Sequence, residues 1–96
     1  MRNNNEHSLK DLIAVMLKQQ RLKNKLNEVR LIESWEKVMG PTIAQRTLEI
    51  TLKNETLYLK IASAPLKQEL RYNLARIVEL LNESLGEAVI KEVVIQ

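Results

Sequence analysis

The residues best suited to chemistry in this sequence are lysines and arginines, and the chemistry that they suit is the binding of anions. The densest group lies in residues 18–25, KQQRLKNK, and consists of Lys18, Arg21, Lys23 and Lys25. A basic joint between two helices can present several such cations to phosphates without reading a nucleic-acid sequence. A solvated linker that only maintains solubility is the alternative interpretation of the same residues.

Three further cations are candidates for the same surface. Arg46 lies in a predicted short helical turn at residues 41–47. Lys67 and Arg71 lie one helical turn apart near the predicted start of a long helix, where the helix dipole favours anions. Together they predict a discontinuous basic surface. Its candidate nucleic-acid-binding residues are Lys18, Arg21, Lys23, Lys25, Arg46, Lys67 and Arg71.

The charge distribution agrees with an anion-binding role for the first half of the chain, while catalytic groups are scarce. Residues 1–48 hold nine Lys and Arg against five Asp and Glu, whereas residues 49–96 hold six against seven. The chain has no Cys, a single histidine (His7) and no glycine-rich phosphate loop. Metal sites and nucleophilic triads therefore lack their usual parts. We predict a protein that is not an enzyme and needs no cofactor.

Length and hydropathy indicate the class of protein. The 96 residues suit one domain, predicted at residues 8–96 after a flexible tail at residues 1–7. No apolar run approaches the roughly 18 residues that span a membrane, and the polar N-terminus does not resemble a signal peptide. We expect a cytoplasmic protein with no membrane partner, with association with the nucleoid as a further option.

Helical spacing predicts two helices in the first half. Ser8 is the expected cap of the first helix, whose apolar stripe is interpreted as core, with a partner-binding surface as the alternative. The second helix spans about residues 27–39 and ends at Gly40. Trp35 is interpreted as a core anchor rather than a base-stacking residue. The stripe of the first helix comprises Leu9, Leu12, Ile13, Met16 and Leu17.

The second half alternates as a hairpin and then returns to helical spacing. Two strands over residues 48–62 flank Asn54-Glu55, a spacing that suits a short turn. Their polar face is a weaker candidate for binding single strands, because Tyr58 is its one aromatic residue. Ser63 should cap a helix of about 20 residues that ends at Gly86, before a last strand over residues 89–95. The strands carry Leu48, Ile50 and Leu52, then Leu57, Leu59 and Ile61.

The order of these elements and several short words of sequence resemble the DciA family, over roughly residues 8–96. The ordered set of these words is more specific to the family than any single word, since most of the words consist of packing and turn residues. The matching words are Trp35 with Val38-Met39-Gly40, Ile43-Ala44, Arg46-Thr47, Leu57-Tyr58-Leu59, Ser63-Ala64, Leu66, Glu69-Leu70, Leu81-Asn82 and Leu85-Gly86.

The resemblance implies a KH-like α+β fold of order α-α-β-β-α-β, with helices packed on a three-stranded sheet. We expect Trp35, Gly40, Leu70 and Leu74 to be structural core positions of this fold. The resemblance also implies a bacterial accessory protein that helps to load the replicative helicase on DNA. Longer family members carry a C-terminal extension, which this sequence lacks, and no base-reading motif can be transferred.

Three functions remain open from the sequence. The leading hypothesis is sequence-nonspecific binding of single-stranded or forked DNA by a partner of the replicative helicase. The second is a KH-like RNA-binding module, because charge alone does not distinguish RNA from DNA. The third is a protein-interaction adaptor that binds no nucleic acid.

Overall fold

A computed structural model of the protein describes the backbone of residues 4–96 and the side chains of residues 8–96. His7 and residues 1–3 of the predicted tail lie outside this description, so the division into tail and domain stays a prediction. The elements in chain order are α1 (Asn4–Met39), α2 (Pro41–Gln45), β1 (Thr47–Lys53), β2 (Thr56–Ile61), α3 (Ala64–Arg71), α4 (Leu74–Leu85) and β3 (Glu92–Ile95).

The first half of the chain is one long helix rather than two. The predicted joint at residues 18–25 lies inside α1, and Ser8 lies within the helix instead of capping it. Both predictions were wrong, Ser8 because the helix already begins at Asn4, and the joint because of its composition. The segment KQQRLKNK contains no Gly or Pro, and its Lys, Gln, Arg and Leu residues have high helix propensity. Nothing in the local sequence therefore stops the helix before Gly40.

The C-terminal part of α1 forms one wall of the core. Leu31 and Trp35 are buried, with 0% and 1% of their surface exposed. The Nε1 of Trp35 donates a hydrogen bond of 2.8 Å to Oγ1 of Thr47, which ties the helix to the start of β1. Gly40, at φ +88°, ends α1 and leads into α2, as predicted. The prediction of Trp35 as a core anchor is confirmed.

The N-terminal part of α1 extends beyond the rest of the protein. The molecule measures 64 × 25 × 20 Å, and a helix of 36 residues has a length of about 54 Å. The predicted core stripe of the first helix, from Leu9 to Leu17, is exposed. That prediction was wrong because helical periodicity shows which residues share a face, but not whether another element lies opposite that face.

The sheet has the order β1-β2-β3, with β1 antiparallel to β2 and β2 parallel to β3. Lys53 pairs with Thr56, so Asn54 and Glu55 form a two-residue turn. Both turn residues have positive φ, 48° and 65°, as a type I′ turn requires. The predicted short hairpin is therefore confirmed, and the parallel pair is joined by the α3–α4 crossover.

One strand residue departs from the predicted alternation. The register shifts between Thr47 and Glu49, which makes Leu48 an extra residue in β1. Leu48 is 63% exposed, whereas Ile50 is half-buried and Leu52 is buried. The expectation that Leu48 shares the buried face was wrong, because a bulge of one residue rotates the side chain away from the core.

The predicted helix of about 20 residues is divided into α3 and α4. Tyr72 N and Asn73 N bond to the carbonyls three residues earlier, and Asn73 Nδ2 donates to the carbonyl of Glu69 at 3.1 Å. Asparagine competes in this way with helical hydrogen bonding. The core side of the stripe persists across the break, since Leu70, Ile77 and Leu81 are buried.

Both predicted ends of this helical region are confirmed. Ser63 caps α3, because its Oγ accepts from Leu66 N at 3.3 Å, and Gly86 ends α4 with φ +77°. The predicted core positions Leu70 and Leu74 are buried and half-buried. The α+β class and the three-stranded sheet agree with the prediction, and the order of elements agrees roughly, since α1 replaces the two predicted first helices, the short α2 follows it, and the last helix is divided.

The last strand is shorter than predicted and is preceded by a buried loop. Val89 and Ile90 are buried but lie outside β3. The side chain of Asn82 holds this loop, since its Oδ1 accepts from Val89 N at 3.0 Å and from Ile90 N at 3.1 Å. These bonds occupy loop N–H groups that a ladder would otherwise pair.

Candidate nucleic-acid interface

The middle of α1 is attached to the far end of strand β1 by two hydrogen bonds. Asn24 Nδ2 donates to the carbonyl oxygen of Leu52 at 3.0 Å, and Leu52 N donates to Oε2 of Glu28 at 2.9 Å. Because β1 is an edge strand, these side chains satisfy polar groups that the sheet leaves unpaired. The basic segment of α1 is thereby held beside the β1–β2 turn.

A groove of about 600 Å³ lies between this part of α1, the β1–β2 turn and the loop after α4. Three cations of α1 and one of the hairpin line it, namely Arg21, Lys23, Lys25 and Lys53. The side chains of all four are exposed. Sequence-distant cations from two elements thus surround one concave surface.

The two carboxylates in the lining already have partners. Oε1 of Glu55 lies 3.3 Å from Nζ of Lys91, and Oε2 of Glu87 lies 3.0 Å from Nη1 of Arg30. Within residues 8–96, no hydrogen bond or ion pair engages the four lining cations. The groove therefore offers uncompensated positive charge, which suits an anion with several phosphates.

The other predicted cations are not all part of this groove. Lys18 is exposed on α1, about one turn before Arg21, and extends the basic surface along the helix. Arg46 lies at the other end of the hairpin, where its carbonyl accepts from Ala62 N at 2.8 Å. Strand β1 has seven residues, which separates the two ends by about 20 Å.

Arg71 lies at the same end of the sheet as Arg46, away from the groove. Its Nη2 donates to the carbonyl oxygen of Ile95 at 3.1 Å, and it lies in the last turn of α3. The expected help from a positive helix end was therefore wrong for Arg71, because the long helix is broken just after it. Lys67 lies on α3 one turn earlier and is half-buried. The predicted surface thus divides into two groups at opposite ends of the sheet.

Lys53 lines the groove, but it was not among the predicted binding residues. The sequence signal that could have identified it is the alternation of β1, which places it on the polar face beside the turn. Its proximity to Arg21 and Lys23 depends on the packing of α1 against β1, which local patterns do not report. The polar sheet face itself carries Tyr58, which is half-buried between its strand partners Thr51 and Val94.

The part of the chain that the structure describes contains neither a membrane-spanning helix nor a metal site. No helix there is long and apolar enough to cross a membrane. In the same residues, no group of His, Cys, Asp and Glu is arranged to hold a metal ion.

Comparison with known proteins gives one match. The family model described as "Dna[CI] antecedent, DciA" matches residues 8–95. No curated protein and no solved structure shows a significant match. The matched range covers nearly all of the 96 residues and includes most of α1 and all three strands of the sheet. The chain therefore belongs to the DciA family.

Proposed function

We propose that this protein is a non-enzymatic accessory of the bacterial replicative helicase, and that it binds DNA through the groove between α1 and the hairpin. Family membership supports the helicase association. The observation that carries DNA binding is the convergence of Arg21, Lys23, Lys25 and Lys53 on one groove whose carboxylates are already paired. Lys18 extends the same surface along α1.

The composition of the groove favours contact with the DNA backbone rather than with bases. Its lining contains no aromatic side chain on which an exposed base could stack. Lysines are point charges without a fixed fork geometry, so three Lys and one Arg suit phosphates in any sequence context. Binding through this groove should therefore be independent of sequence, as an accessory that acts at many DNA sequences requires.

The accessory role is proposed to work by binding and positioning alone. The chain has two glycines, Gly40 and Gly86, and both terminate helices instead of forming a phosphate loop. The proposed action is to hold DNA beside the helicase, in the bacterial cytoplasm, while the helicase uses its own nucleotide site.

Fluorescence anisotropy with labelled single-stranded, forked and duplex DNA, titrated across salt, tests the proposal. We expect the logarithm of the affinity to fall linearly with log salt, by about 0.9 per phosphate contact on a duplex. The triple variant Arg21→Gln, Lys23→Gln, Lys53→Gln should lower that slope by about 2 to 3. Its matched control, Lys37→Gln, Lys60→Gln, Arg76→Gln, removes the same charge from exposed positions outside the groove.

Equal losses in the two triple variants would show that only net charge matters and would contradict the groove. Absence of any DNA signal at about 50 mM salt, where phosphate contacts are strong, would contradict DNA binding altogether. Competition with RNA of matched sequence tests the alternative function, since the KH-like fold also suits RNA. A clear preference for RNA would replace DNA as the ligand.

A further inference from the structure

A second surface of the protein is apolar and lies on the projecting part of α1. We refer to residues 8–29 of α1 as the arm. Nine large apolar side chains of the arm are between 48% and 60% exposed, and together they leave roughly several hundred Å² uncovered. Patches of this size on soluble proteins commonly mark interaction sites. The nine residues are Leu9, Leu12, Ile13, Val15, Met16, Leu17, Leu22, Leu26 and Val29.

These side chains lie on two opposite faces of the helix. Ile13 precedes Leu31 by 18 residues, which is five complete turns, and Leu17 precedes Trp35 by the same interval. The inner face of the arm is therefore the continuation of the face that α1 buries in the core. Leu22 is nine residues from Ile13, or two and a half turns, and so lies on the outer face.

The outer face has the spacing of a helix that pairs with another helix. Its residues alternate at intervals of three and four, and all but one are apolar. They are Leu12, Val15, Gln19, Leu22, Leu26 and Val29. Glu33 occupies the next position and ends the stripe. An exposed helix face with these intervals fits the groove or the apolar stripe of a second helix.

The charges beside the outer stripe select the partner. Four cations flank it, Lys18 and Lys25 on one side, where Asp11 precedes them by one heptad, and Lys23 and Arg30 on the other. Of the four cations, only Arg30 makes an ion pair among the described residues, with Glu87. In a pair of helices these flanking positions face one another and decide which partners associate.

A second copy of this chain fits the outer stripe poorly. A parallel pair would place Lys18 opposite Lys23 of the other copy, and Lys25 opposite Arg30. An antiparallel pair with Leu12 opposite Val29 would bring Lys18 to Lys18 and Lys23 to Lys23 of the other copy, although Asp11 would lie opposite Lys25. A helix that lies on a lipid surface needs one apolar and one polar face, whereas the first part of the arm, from Leu9 to Leu17, is apolar on both faces.

We propose that the arm is a docking helix for a protein partner that presents an acidic amphipathic helix, with apolar residues along one stripe and carboxylates beside it. The outer stripe of the arm packs on the partner's apolar stripe, while Lys18, Lys23 and Lys25 face its carboxylates. The inference deepens the proposed accessory function, because it gives the chemistry of the protein partner, and it rests on that role. It does not depend on DNA binding, and because Lys18, Lys23 and Lys25 also belong to the proposed DNA surface, DNA and the acidic helix should compete for them.

A synthetic acidic peptide is the probe. It has about four heptads with Leu at the two apolar positions and Glu at the flanking positions, so repulsion keeps it from pairing with itself at neutral pH. Mixing it with the full-length protein should raise the helical circular dichroism signal above the sum of the separate components. Anisotropy of the labelled peptide should show saturable binding that weakens with salt. The same peptide with Lys at the flanking positions should not bind.

Matched variants locate the binding. The double variant Leu22→Gln, Leu26→Gln changes exposed positions to a good helix former, and it should weaken peptide binding by about tenfold or more. The control Leu48→Gln removes an equally exposed leucine from the bulge of β1 and should leave binding unchanged. Thermal unfolding should show that all these variants remain folded.

Several results would overturn the inference. These are no binding of the acidic peptide, equal binding of the basic peptide, or equal weakening by Leu48→Gln. Concentration-dependent dimers in sedimentation equilibrium that Leu22→Gln, Leu26→Gln abolishes would assign the stripe to a second copy instead. Preferential binding to anionic vesicles would assign it to lipid. Unchanged DNA affinity of the leucine variants separates this inference from the DNA groove, so either can fail alone.

Discussion

Two segments of α1 carry the same kinds of side chain on the same side of one helix, but they have opposite environments. Leu31 and Trp35 are buried, while Ile13 and Leu17, five turns earlier on the same face, are exposed. The helix itself does not change between them. The sheet and α4 end opposite the middle of α1, near the turn at Asn54-Glu55. An amphipathic pattern determines which side chains share a face of the helix. Whether that face is buried depends on whether another surface packs against it.

The largest expected difference between the two segments is in stability. Trp35→Ala should lower the free energy of unfolding by about 3–5 kcal/mol, because it leaves a large cavity and removes the hydrogen bond to Thr47. Leu17→Ala, on the same face in the arm, should change it by less than about 0.5 kcal/mol. Urea denaturation followed by circular dichroism measures both. Similar losses would mean that the arm is packed against something in solution.

A smaller loss of stability is expected from a change at the point where the two segments of α1 meet. Glu28→Ala removes the acceptor for Leu52 N and should cost about 1–2 kcal/mol, while Glu28→Gln should restore part of this. Glu33→Ala, at an exposed position of the same helix, should stay within about 0.5 kcal/mol. The same denaturation measurement applies. If Glu28→Ala matched Glu33→Ala, the bond to the strand would contribute nothing to the attachment of α1.

The smallest expected effect is on DNA binding by a single lysine of the hairpin. Lys53→Gln should reduce the salt slope of DNA affinity by about 1, since it removes one phosphate contact. Lys60→Gln, an exposed lysine of β2 outside the groove, should leave the slope unchanged. Anisotropy titrations at several salt concentrations measure both. A larger loss for Lys60 than for Lys53 would move the interface to the open face of the sheet.

The candidate site was partly predictable. The run of cations at residues 18–25 is visible in the sequence, because it requires only that the residues be close in the chain. Lys53 was not named as a candidate. Arg46 and Arg71, which were predicted to share a discontinuous surface with the run, lie at the other end of the sheet, because their positions depend on how α1 packs against β1 and where the sheet ends. Charge density along the chain predicts local clusters, whereas the division of seven candidates into two groups about 20 Å apart depends on strand geometry.

By itself, the sequence determined several features that depend on short-range chemistry. The helix ends at Gly40 and Gly86 require a positive φ, Ser63 supplies a side-chain cap, and a two-residue turn is dictated by the spacing of two alternating strands. The tertiary structure alone decided the burial of α1, the exposure of Leu48 and the joining of Lys53 to the basic run. Those outcomes depend on which surfaces pack against each other. Contacts between residues distant in the chain determine that packing, whereas local conformational preference does not.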